Sequence, residues 1–168
     1  MNMFQRLFGK KAEADSPLVS FTFDYNGGNG ALGAGDNKTA VERYTAAIRT
    51  WDDASKHEDD PIPKQMVAMC LTNLGTAYTR LDMADDALRV LERSLAIAPS
   101  FLMAQYNRAW LLERVQRNSE AIQAWESYLA SARHDPREHA SIPEAERHMS
   151  RLKTTAILQK HGVPITKA

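Results

Sequence analysis

Residues Ala68 to Pro99, AMCLTNLGTAYTRLDMADDALRVLERSLAIAP, decide how the rest of this 168-residue chain is read. Leu71-x2-Leu74-Gly75-x2-Tyr78 is followed by Ala87-x3-Leu91 and then by Pro99. Proline stops a helix because it lacks the N–H donor and its ring clashes with the preceding turn. The pattern then returns: Ala109 stands where Gly75 stood, Ala121 where Ala87 stood and Trp125 where Leu91 stood, each 34 residues on. Agreement at three separated positions, two small and one large, marks an internal repeat.

On these residues the chain resembles the tetratricopeptide repeat (TPR) family. The resemblance implies an all-α fold, a superhelix of helix-turn-helix units in which two antiparallel helices cross closely at Gly75 and Ala87 while Leu71, Leu74, Tyr78 and Leu91 fill the space between them. Residues 68–101 and 102–135 are then full repeats. Gly35, Ala40, Tyr44, Ala47 and Ile48 stand at the loop and core positions of a second repeat helix, so residues 35–52 read as half a repeat, with Thr39-x2-Glu42 as a capping box. From Ala40 to Ala87 the interval is 47 residues rather than 34, which makes residues 53–67, with the acidic run ending in Pro61 and Pro63, a solvated insert. A C-terminal capping helix over residues 141–161 follows, with Ser141 as cap, Pro143 in its first turn and an apolar stripe of Ala145, Met149, Leu152 and Ala156. Its polar face carries Glu144, Arg147, Arg151, Lys153 and Lys160, as the end of a repeat array requires. Gly162 ends it, and residues 162–168 form a tail.

Residues 1–34 read differently. Met3, Phe4, Leu7 and Phe8 lie at helical spacing among Arg6, Lys10 and Lys11, an amphipathic tip suited to weak membrane-surface contact through Phe4, Leu7 and Phe8. A membrane-peripheral scaffold is the alternative function this supports. Leu18 to Tyr25 alternates apolar and polar residues, the pattern of a half-buried extended segment. Gly27 to Gly35 holds five of the chain's 8 glycines and reads as a flexible linker. Gly28-x-Gly30-x2-Gly33 matches the dinucleotide fingerprint in form, the basis for a nucleotide-binding enzyme as a further alternative. Two things count against it: the first strand of such a fold is continuously hydrophobic, and no second strand follows to carry the acidic ribose ligand.

Composition narrows the function classes. Lysine plus arginine and aspartate plus glutamate each total 21, so there is no global attraction to nucleic acid or anionic lipid. The single cysteine, Cys70, has no intrachain partner and suits a reducing cytoplasm. No metal site or cofactor is expected, since His134, His139 and His148 lie at spacings of five and nine with no cysteine nearby and are read as facing water. No nucleophile, base and orienting acid converge in the sequence, so the chain is read as a non-enzyme.

The remaining candidate is the concave wall that the resemblance assigns to the first helix of each repeat. Here it comprises Met69, Thr72, Asn73, Thr76, Thr79 and Arg80, then Met103, Tyr106, Asn107, Trp110, Glu113 and Arg114. Asn73 and Asn107 would hydrogen-bond the backbone of a bound peptide, Met103, Tyr106 and Trp110 would grip an apolar side chain, and Arg80 and Arg114 would favour an acidic one. The expected function is a protein-protein interaction adaptor or assembly factor. The carboxylate clamp by which similar modules hold acidic chaperone tails uses basic residues where this chain has Met103 and Asn107. It also uses a lysine and an asparagine on a first helix absent from this reading, so only Asn73 fits.

Overall fold

The computed structural model describes residues 16–56 and 62–161. The tip with Phe4, Leu7 and Phe8, the middle of the acidic insert, and Gly162 with the tail lie outside the described residues. Within these bounds the chain is helical throughout apart from turns and one short 3-10 element, in two units divided at residue 98.

The first unit contains α1 (Pro17–Gly33), α2 (Asn37–Ala54), α3 (Lys64–Arg80) and α4 (Ala84–Ile97), packed as the pairs α1·α2 and α3·α4 with α2 against α3. In α3·α4 the expected crossing is present: Gly75 is buried, and a Cβ there would sit 2.9 Å from Leu91 Cγ. Ala68, Leu71, Leu74, Ala87 and Leu91 are core. A buried polar triangle ties the pair together, with Ser94 Oγ and Thr72 Oγ1 both donating to Ala68 O at 2.9 and 2.8 Å and lying 3.0 Å from each other. These hydroxyls are satisfied, which removes the penalty of burying them. Cys70 is buried too, and burial pushes its thiol pKa up.

Residues 17–33 are neither extended nor a linker; they form α1, the missing first helix of the first repeat. The alternation of Val19, Phe21, Phe23 and Tyr25 conceals a helical face, because Phe21 and Tyr25 are four apart, their rings stacked at 6.1 Å, with Gly28 one turn further on. Phe23 falls on the opposite side, 69% exposed, beneath the Arg43 guanidinium at 5.7 Å. Glycine within a helix costs about 1 kcal/mol relative to alanine, and tertiary packing overrides that cost. Phe21 and Tyr44 are fully buried between α1 and α2, and a Cβ on Gly28 would stand 2.5 Å from Tyr44 Cε1. Only glycine lets the ring approach so closely. The cap of α2 is also one turn earlier than expected: Asp36 accepts from the Thr39 amide at 3.1 Å.

The second unit contains α5 (Leu102–Arg114), α6 (Asn118–Ala132), a 3-10 turn (Pro136–Glu138) and α7 (Ile142–Lys160). Ala109 and Trp125 are fully buried at the α5·α6 crossing. Ala145 and Leu152 of α7 are buried and Met149 partly so, while Ala156 is exposed. Ser141 does not cap α7; its hydroxyl donates to Glu138 Oε2 at 3.2 Å. Gly35, Asp82 and Gln116, successively 47 and 34 residues apart, all take positive φ (80°, 58° and 62°) between the paired helices. The same left-handed turn therefore joins the helices in each of three repeats.

Candidate functional site

The predicted residues fall on α3 of the first unit and α5 of the second. On α3, Met69 is 38% exposed, and Thr76 Oγ1 donates to Thr72 O in its own helix at 3.2 Å. Two members of the wall are held by α1. Asn73 Nδ2 donates to Asn29 Oδ1 at 3.0 Å, and that same oxygen accepts from the Tyr44 hydroxyl at 2.7 Å. Arg80 Nη1 donates to Leu32 O at 3.0 Å near the C-terminal end of α1, where backbone carbonyls lack helical partners. Burial raises the Tyr44 phenol to about 12, so it is a proton donor at any physiological pH. Thr72, assigned to the wall, is core.

On α5 the picture is more open. Met103 is 55% exposed and Trp110 is 38% exposed, with the Arg114 guanidinium 5.6 Å from the indole centroid. Asn107 is half-buried and engaged with its surroundings. Tyr106 is only partly a surface residue: its ring packs edge-on against Trp125 at 5.1 Å and Tyr128 at 5.3 Å. Burial and the negative charge of the nearby Glu144 raise its phenol pKa. Beside it opens a cleft of about 390 Å³ lined by Met103, Tyr106, Glu138, Ala140, Ser141 and Glu144.

Glu113, assigned to the wall, is instead the anchor of α7. Its carboxylate accepts from Trp125 Nε1 at 3.1 Å, from His148 Nδ1 at 2.9 Å and from Arg151 Nη2. Burial alone would raise its pKa, but these donors together outweigh it and hold the group below the ordinary carboxylate range. His148 does not face water as read from sequence; it stacks on Trp125 at 5.2 Å. Arg151, read as part of the polar face, pairs with Glu113. Among the described residues no group of histidine, cysteine or carboxylate side chains could hold a metal, and no helix is long and apolar enough to cross a membrane.

The nucleotide-loop alternative is overturned, because Gly28, Gly30 and Gly33 lie inside α1, with Gly28 under Tyr44 rather than in a phosphate-cradling turn. The carboxylate clamp gains an asparagine but no base. A first helix exists and supplies Asn29 opposite Asn73, but α1, PLVSFTFDYNGGNGALG, carries no lysine or arginine. Asn29 and Glu138 escaped the sequence reading, and Glu144 entered it only as part of the polar face of the capping helix. One signal could have found Asn29: Gly28 precedes Gly75 by 47 residues, the interval already visible between Ala40 and Ala87.

No protein-family model matches the sequence, and no curated protein matches it. Solved structures do. The Arabidopsis OM64 TPR domain is 19% identical with a TM-score of 0.65, over 83% of this chain and 99% of that one. The TPR2B domain of yeast Sti1, solved as its pHsp70 complex, is 14% identical at 0.67, over 82% and 98%. The second TPR domain of human RPAP3, solved with the HSP70 peptide SGPTIEEVD, is 20% identical at 0.64, over 82% and 98%. At such identities the likeness is one of fold, and it agrees with the three Gly/Ala crossings and the three left-handed turns: the chain has the tetratricopeptide-repeat fold.

Proposed function

We propose that this chain is a non-enzymatic adaptor or assembly factor that holds a segment of a partner protein on the α5 face of its second unit. The observation that carries the reading is the exposure of Met103 and Trp110 on α5 while Ala109, Leu111 and Leu112 of the same helix are buried. An amphipathic helix ordinarily turns polar residues outward, and a half-exposed tryptophan is a frequent binding anchor. Peptide complexes on this fold, such as those of Sti1 and RPAP3, support the mode. Asn107 and Arg114 flank the anchor. Met69, Asn73, Thr76 and Arg80 of α3 are secondary, since α1 already engages Asn73 and Arg80. A reducing cytoplasm suits the buried thiol of Cys70.

The test is to select binding segments by peptide display on the full chain and measure their affinity by fluorescence anisotropy. Trp110→Ala is expected to weaken binding by about 2 kcal/mol, roughly 30-fold, with Met103→Ala weaker in effect. Unchanged affinity in both variants, with helicity intact by circular dichroism, contradicts the reading.

A further inference from the structure

The cleft between α5 and the start of α7 has a chemistry that specifies more than an apolar partner. We propose that it receives a lysine or arginine side chain of the partner segment, the aliphatic stem lying on Met103 and Tyr106 and the cation meeting Glu138 and Glu144. This rests on the adaptor reading and names the partner's chemistry.

Three observations support it. The lining combines an exposed thioether and an aromatic ring with two carboxylates, and none of the lining residues is basic. Glu138 is held in place by neutral donors only: the Tyr128 hydroxyl at 2.8 Å and the Ser141 hydroxyl at 3.2 Å both donate to Oε2, which leaves Oε1 for a ligand. Glu144 has a half-exposed side chain, and its nearest basic atom is His148 Nε2 at 3.8 Å, beyond hydrogen-bond range. Long cationic side chains favour such a site because the stem covers apolar surface while the head stays at the polar rim, and Tyr106 adds the attraction of an aromatic face for a cation. An acidic side chain would meet two like charges, and a purely apolar one would strip water from carboxylates without replacing it. The preference is thus opposite to that for a segment such as SGPTIEEVD, which ends in acids.

The experiment uses the full chain, labelled with nitrogen-15, and three acetylated and amidated peptides Ala-Leu-X-Leu-Ala in which X is lysine, norleucine or glutamate. The lysine peptide is expected to shift the amides of Met103, Tyr106, Ala140 and Ser141 saturably. Norleucine should bind about threefold to tenfold more weakly, and glutamate more weakly still. Glu144→Gln should abolish the lysine preference, and raised salt should reduce it. Equal binding of lysine and norleucine at these amides overturns the proposal while leaving the adaptor reading standing. Tighter binding of the glutamate peptide, or no shift at these amides with any peptide, also overturns it. The adaptor reading itself stands or falls separately, on Trp110→Ala against display-selected segments.

Discussion

The pairs α1·α2 and α3·α4 solve the same packing problem in opposite ways. In α3·α4 the first helix carries the bulk, Leu71, Leu74 and Tyr78, and Gly75 clears room for Leu91. In α1·α2 the positions 47 residues earlier are Asp24, Gly27, Gly28 and Ala31, so the first helix contributes almost no bulk there, and the second helix supplies Tyr44 instead. The α5·α6 pair lies between them, with Ala109 facing Trp125. The lesson is that the conserved quantity of the crossing is combined volume: where one helix gives up its side chain, the partner fills the space with a larger one.

This contrast predicts where the fold breaks first. A Cβ on Gly28 meets a rigid ring at 2.5 Å, whereas one on Gly75 meets the branched end of a leucine at 2.9 Å. Gly28→Leu should therefore cost about 3 kcal/mol or more in urea unfolding, and Gly75→Leu about 1 to 3 kcal/mol. Equal tolerance of both would show that Tyr44 is not fixed by α1.

Next in size is the anchor of α7. Glu113→Gln keeps the shape but removes the charge that faces His148 and Arg151, at an expected cost of about 1 to 3 kcal/mol. Because the folded-state pKa of Glu113 is depressed, its contribution is present at neutral pH and is lost as pH falls through that depressed value. Thermal melts across the acid range should show a shallower pH dependence in Glu113→Gln than in the unsubstituted chain.

Smaller effects sharpen the comparison from the stabilising side. Gly30 has nothing within 4 Å of a built Cβ, so Gly30→Ala should gain about 1 kcal/mol of helix propensity, in contrast to the loss at Gly28 two residues earlier. At the left-handed turn of the third repeat, Gln116→Gly relieves strain but loosens the unfolded chain, for a net gain of about 0.5 kcal/mol. Differential scanning calorimetry resolves both.

These contrasts also explain what could be read beforehand. The repeats at 68–101 and 102–135 were legible because their small and large core residues recur at a fixed interval. Helix α1 was hidden because alternation over Leu18 to Tyr25 fits two periods equally well in so short a stretch, and because four glycines argue locally against a helix whose stability comes from Tyr44, a residue of the next helix. At the site, exposure at Met103 and Trp110 followed from helical phase alone. The roles of Glu113, Glu138, Glu144 and His148 did not, since they depend on where α7 and the 3-10 turn meet α5, and no local pattern encodes that. The same hidden helix supplies the partners of Asn73 and Arg80, Asn29 and the Leu32 carbonyl, which no local pattern around α3 announces.

Hydrogen exchange of the full chain, followed by mass spectrometry, tests most directly whether α1 is a true repeat helix that packs on α2 and engages Asn73 and Arg80 of α3. Amides from Phe21 to Gly28 should be protected to a degree comparable with Leu71 to Gly75. Exchange of Phe21 to Gly28 at unprotected rates, while α3 remains protected, would contradict it and return Asn73 and Arg80 to the binding surface.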